Sequence, residues 1–158
     1  MKNYMEKTFD LFDKGWALVT AGNMDSFNTM TISWGGLGTL WNRPVATVYV
    51  KPIRYTHNFM ESNEYFTVSF FDTDYRADLA TLGTLSGKDG DKVAKTQLTA
   101  VAVGESVSFK EAKLTLLCKK LYRQDLDKSA MPDFAVEKYY TDEAEHTMYV
   151  GEVVEIVE

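Results

Sequence analysis

Residues 28–34 read NTMTISW, with Thr29, Thr31 and Ser33 on one side of the alternation and Met30, Ile32 and Trp34 on the other. A period of two is the side-chain period of a β-strand. The same kind of segment recurs along the chain. Residues 16–21 (WALVTA), 45–50 (VATVYV) and 65–71 (YFTVSFF) are short, apolar and rich in β-branched or aromatic residues. Such residues suit a pleated surface. Residues 101–103, 107–109, 113–122 and 148–157 predict further strands. Gly22, Asn23, Met24 and Asp25 predict a turn, and Gly35, Gly36 and Gly38 predict a break after the second strand. Helices are expected to be few and short. Thr56 is placed to cap one over 57–62 and Asp74 one over 75–82. Asp89 or Asp91 is placed to start one running to 95, and Pro132 to open one running to about 140. This order lacks strict βαβ alternation. It predicts a mainly β fold, an antiparallel barrel with short helices, not a doubly wound sheet.

No linker or repeat divides the 158 residues, so one domain is expected over 1–158. The net charge of -6 argues against a chain-wide grip on nucleic acid. An anionic ligand would need a local cationic site. A single cysteine, Cys118, rules out an internal disulfide and fits a reducing cytoplasm. Its apolar neighbours Leu116 and Leu117 mark it as a packing residue. The first 13 residues carry Lys2, Glu6, Lys7, Asp10 and Asp13, unlike a signal peptide. No apolar run approaches the ~20 residues of a membrane span. A cytoplasmic protein with no membrane partner is expected.

Several familiar signatures fail. Residues 83–88 read GTLSGK, with three residues between the glycines where a Walker A loop has four. Gly35, Gly36 and Gly38 do not have the spacing of a dinucleotide fingerprint. One cysteine and two histidines, His57 and His146, do not make a standard zinc site.

Four segments carry chemistry. The hydroxyl face of 28–34 either bonds the edge of a flat polar ligand or is an ordinary polar sheet face. Residues 51–56 read KPIRYT and sit between a strand and a helix start. Arg54 offers a fork for phosphate oxygens, and Thr56 and the helix start add further donors. The alternative is a capped helix with a solvated arginine. Residues 86–92 (SGKDGDK) combine close-approach glycines with Lys88 and Lys92, or form an exposed charged loop. His146 opens the last strand, at a ligand ring or simply in a loop.

In this order NTMTISWGG, KPIRYTHNF, SGKDGDK and HTMYVGEV closely resemble the flavin reductase-like family of FMN-binding split-barrel proteins. The similarity runs from residue 16 to the final strand. It implies a split β-barrel of Greek-key type and a homodimer with FMN near the interface. It also implies hydride transfer from NADH or NADPH to flavin. The related alternative is a flavoredoxin-like electron carrier that serves a redox protein partner. A pyridoxamine-phosphate oxidase-like or haem-binding relative is a more distant one. The resemblance assigns Met30, Thr31, Ser33 and Trp34 to the cofactor's ring and ribityl chain and Arg54, Tyr55 and Thr56 to its phosphate, with Asn28, Thr29 and Lys51 also among the cofactor-binding residues. Ser86, Gly87 and Lys92 close over the cofactor, and His146 lies near the ring. Lys88 departs from the family's more usual arginine, a point charge in place of a bidentate fork.

Overall fold

The computed structural model describes residues 2–141 and 144–158. The helices are α1 (Lys2–Asp13), α2 (Tyr55–Ser62), α3 (Arg76–Thr84) and α4 (Asp133–Tyr139). The strands are β1 (Ala17–Asn23), β2 (Ser26–Ile32), β3 (Gly35–Leu40), β4 (Arg43–Val50) and β5 (Tyr65–Phe70). They continue with β6 (Ala100–Val103), β7 (Ser106–Phe109), β8 (Leu114–Asp125) and β9 (Thr147–Val157). Seven strands form one sheet in the order β2-β1-β5-β8-β9-β4-β3, and β6 and β7 form a separate hairpin. Every pairing is antiparallel.

Strands β2 and β3 are the two edges of the large sheet, yet only Ser33 and Trp34 separate them in the chain. A flat sheet would hold its edges about 29 Å apart across six inter-strand spacings. Three Cα steps reach at most about 11 Å. The sheet must therefore curl until its edges meet at Ser33–Trp34. Here it is a barrel left open along one seam, as the alternating strands predicted.

The alternation decides which side chains fill the barrel. Ala17, Val19 and Ala21 of β1 face inward with Met30 and Ile32 of β2, Val48 of β4 and Phe66 of β5. Phe12 of α1 and Met60 of α2 pack into the same core. Gly151 makes room for Phe66, since a Cβ there would lie 2.6 Å from the Phe66 ring. Outside the barrel, Leu18 meets Leu79 and Leu82 of α3 in a second cluster with Phe71, Leu98 and Phe109. This cluster clamps α3 against the outside of β1 and β2. Cys118 is fully buried in the barrel, and desolvation pushes its thiol up to about 12. It is a packing residue, as expected.

Several local expectations need correction. The glycine run does not break the sheet: Gly35–Leu40 is β3, paired to β4. An edge strand packs on one side only, so missing side chains cost it little; a Cβ at Gly36 or Gly38 would meet nothing. Helix α2 starts two residues early, at Tyr55, with Arg54 at the cap position and no side chain capping it; Thr56 lies inside the helix, its hydroxyl engaged by Asn28. Asp74 lies in a 3-10 turn, and α3 begins at Arg76 without a side-chain cap. The helix expected up to residue 95 is two 3-10 turns, Gly87–Asp89 and Val93–Lys95. Helix α1 was not anticipated; it contributes Leu11 and Phe12 to the core. Among the described residues, no helix is long and apolar enough to cross a membrane.

Candidate functional site

The open seam leaves β2 paired to β1 alone. Half of its backbone N–H and C=O groups therefore point away from the sheet, toward the cleft beside it. Helix α2 and the segment from α3 through residue 92 form the opposite walls. The cleft has three adjoining chambers. The first, about 200 Å³, is lined by Met30, Thr31, Ile32, Ser33, Trp34, Tyr49, Arg54 and His146. The second, about 310 Å³, lies between Asn28, residues 53–56, residues 83–87 and Lys92. The two share Arg54. A third, about 450 Å³, adjoins the second at Asn28, Tyr55, Gly87 and Lys92.

The middle chamber is cationic. Lys92 is 4% exposed, and its ammonium donates to the carbonyls of Leu82 (2.8 Å) and Leu85 (3.0 Å). Arg54 donates to the carbonyl of Gly83 at 3.1 Å. Each cation thus sits on carbonyls at the carboxyl end of α3, where the helix dipole favours positive charge. Among the described residues, neither is ion-paired to a carboxylate. Desolvation lowers the pKa of Arg54. Desolvation, with the charge of Arg54 adding to it, brings Lys92 down to about 8. Desolvated cations held this way favour an incoming anion. The uncapped first turn of α2 faces the same chamber and has N–H groups to offer.

Close packing shapes this chamber. The Asn28 amide donates to Thr56 Oγ1 at 2.7 Å and so ties β2 to α2. A Cβ on Gly87 would fall 2.0 Å from Asn28 Oδ1, so glycine is required for the loop to close over Asn28.

The first chamber is aromatic. Trp34 stands 39% exposed, edge-on to Tyr139 at 4.9 Å between centroids and 5.2 Å from the His146 ring. The Tyr140 hydroxyl lies 2.7 Å from His146 Nδ1 and fixes that ring. Lys51 donates to the Tyr139 carbonyl at 3.1 Å and lies over the Tyr140 ring.

The structure thus brings Asn28, Arg54, Tyr55, Thr56, Ser86, Gly87 and Lys92 to one chamber and Met30, Thr31, Ser33, Trp34 and His146 to its neighbour. Thr29 lines neither. Its hydroxyl is fully buried, 2.8 Å from Thr20 Oγ1 and 3.2 Å from the Val19 carbonyl, so it joins β2 to β1 from behind. The hydroxyl of Thr31 donates to the Leu79 carbonyl and anchors α3. On the polar side of NTMTISW, Thr31 thus holds α3, Thr29 holds β1, and Ser33 is left to the first chamber. Lys51 belongs with the aromatic end, and Lys88 is exposed away from all three chambers. Tyr49 and Tyr139 were missed. Tyr49 has a signal in the alternation of VATVYV, because it falls opposite the inward-facing Val48 and Val50. The carbonyls of Leu82, Gly83 and Leu85 have no sequence signal.

Comparison with known proteins agrees with this architecture. Residues 9–158 match the family model described as the flavin reductase like domain. An FMN-binding protein from Thermus thermophilus superposes with a TM-score of 0.71 at 20% identity, over 90% of this chain and 69% of that one. Flavoredoxin of Desulfovibrio vulgaris gives 0.70 at 21% identity, over 90% and 68%. A split-barrel-domain protein from Shewanella frigidimarina gives 0.70 at 15% identity, over 96% and 72%. No curated protein sequence matches the chain. At these identities the structures establish the fold, a split barrel, while the family match spans nearly all of the sequence. With its barrel open at β2 and its cationic cleft along that seam, the chain belongs to the flavin reductase-like domain family.

Proposed function

We propose that the cleft binds FMN and that the protein is a flavin reductase taking hydride from NADH or NADPH. The observation that carries this reading is the pair of buried Lys92 and half-buried Arg54, two cations without a carboxylate partner among the described residues of an acidic chain. The residues present fit the group. Arg54, Lys92 and the first turn of α2 would hold the phosphate. Asn28 and Gly87 would border it. The open edge of β2, from Met30 to Ser33, offers donors and acceptors to the polar rim of the ring, and Trp34 offers an apolar surface. Bound FMN supplies a two-electron acceptor, and the protein supplies position and electrostatics.

His146, its ring oriented by the Tyr140 hydroxyl, lines the same chamber as Trp34 and would lie near the flavin ring. The sequence has no separate dinucleotide fingerprint, so the nicotinamide donor uses the exposed aromatic chamber transiently. Stopped-flow mixing of the FMN-loaded protein with NADH or NADPH under nitrogen tests this. Bleaching of the flavin band with either donor is expected. A flavin band that neither donor bleaches moves the function to a flavoredoxin-like carrier reduced by a protein partner.

The same reading includes a homodimer. Leu37 on edge strand β3 is 44% exposed, Trp41 in the turn after it 63%, and Phe9 on α1 66%. An exposed edge with large apolar side chains favours coverage by a second copy. Sedimentation equilibrium is expected to give a dimer for the native protein and a monomer for Leu37→Glu. A native protein that sediments as a monomer contradicts it.

A further inference from the structure

Helix α2 is tied down twice, by adjacent residues. Thr56 accepts from Asn28 of β2 on the phosphate side. His57 reaches β9 instead and is largely buried there. Its Nε2 lies 2.9 Å from Thr147 Oγ1. Thr147 is fully buried, opens β9 and directly follows His146 in the chain. Across the ladder it pairs with Asp125, the last residue of β8. The arm that carries α4, Tyr139, Tyr140 and His146 leaves and rejoins the sheet at this pair, where the Leu126 amide donates to the His146 carbonyl at 3.0 Å.

Counting protons fixes the direction of each bond. A threonine hydroxyl has one proton and two acceptor sites, and an ionised carboxylate only accepts. Thr147 Oγ1 lies 2.7 Å from Asp125 Oδ1, so its proton goes there and holds the Asp125 carboxyl below its usual pKa. Toward Thr147, His57 can then only donate, which makes it the Nε2–H tautomer. Arg123 reaches the same oxygen at 3.4 Å, Asp125 at 3.0 Å and Glu61 at 2.6 Å. Glu61 stands one turn along α2, 3.6 Å from His57 Nε2. The ion pairs of Arg123 are partly exposed and contribute little to stability. The buried His57–Thr147 pair costs desolvation that an apolar pair would not, and what a satisfied buried polar pair adds is a unique geometry.

We propose that His57 is a positioning residue for the aromatic chamber. By donating to Thr147 it sets the start of β9, and with it the His146 ring one residue away, from the same helix whose first turn faces the phosphate. The flavin reading supplies only what His146 faces. The chain has two histidines, so nitrogen-15 imidazole spectra of the flavin-free protein distinguish both. Burial lowers the pKa of His57, so at about pH 8 its ring is neutral and is expected as the Nε2–H tautomer. His57→Leu and Thr147→Val should each shift the His146 signals. His57→Gln, which keeps a donor, and Thr147→Ser, which keeps the hydroxyl, should leave them native. With FMN bound, His57→Leu should slow flavin reduction by about tenfold, and His57→Gln should restore it. The Nδ1–H tautomer at His57 in the native protein overturns the proposal without any variant, should the apolar ones fail to fold. His146 signals that stay unmoved in the apolar variants, or that move as far in the conservative ones, overturn it too. If neither nicotinamide donor reduces FMN on the native protein, the reductase reading fails, and the imidazole spectra still decide the role of His57.

Discussion

Arg54→Ala is expected to weaken FMN binding by about one to two decades while the protein stays folded. The guanidinium is half-buried and rests on the Gly83 carbonyl, with no carboxylate paired to it among the described residues. Hydrogen bonds to a charged group contribute about 1.5–3 kcal/mol. Each 1.4 kcal/mol is about tenfold in affinity. Arg54→Lys keeps the charge and loses the planar fork, so it should fall between native and alanine. Isothermal titration with FMN reads the effect, and far-ultraviolet circular dichroism checks the fold. An unchanged dissociation constant in folded Arg54→Ala would mean that the phosphate is held elsewhere.

Affinity for FMN is expected to fall as pH rises above about 8, by up to tenfold per unit. Burial and the nearby Arg54 bring Lys92 from its ordinary 10.5 down to about 8 in the free protein. Below pH 8 the ammonium is already charged and ready for an anion. Above it, binding must bring a proton to Lys92, and each unit of pH then costs about 1.4 kcal/mol. The free protein should show the opposite trend. Between pH 8 and 10.5 its unfolded state carries the Lys92 proton and its folded state does not, so this group raises stability with pH across that window. Lys92→Met should remove the alkaline fall in affinity. Calorimetric titrations from pH 7 to 10 measure it, and a flat profile for the native protein would exclude Lys92 from the anion site.

The strands were legible because each carries its own period of two, and a barrel buries every second residue. Phe66, Val68 and Phe70 alternate inside the barrel just as YFTVSFF suggests. The cationic pair was legible as types in place: an arginine after a strand, a lysine in a glycine loop. Its most telling property, the lack of a counter-charge, was not, because the partners are backbone carbonyls at the end of α3. Backbone groups leave no letter in the sequence. The hydroxyls of Thr29 and Thr31 misled for a related reason. Alternation shows that they share a face but not what each meets there: Thr29 bonds back to β1, and Thr31 bonds to α3, which arrives from 45 residues later in the chain. Strand β3 was hidden by its glycines, whose low β-propensity is overridden by pairing to β4 along residues 35–40. The extent of the cleft beyond Lys92 arises only when the turn at Met24 and the loop at Gly90 meet across it.

The most direct test is a comparison of FMN with riboflavin, which has the same ring and ribityl chain and no phosphate. Flavin-free protein would be titrated with each at pH 7. Two desolvated cations aimed at one phosphate predict that FMN binds about a hundredfold more tightly, or better. Equal affinity for the two would contradict the account, because Arg54 and Lys92 would then hold something other than a flavin phosphate.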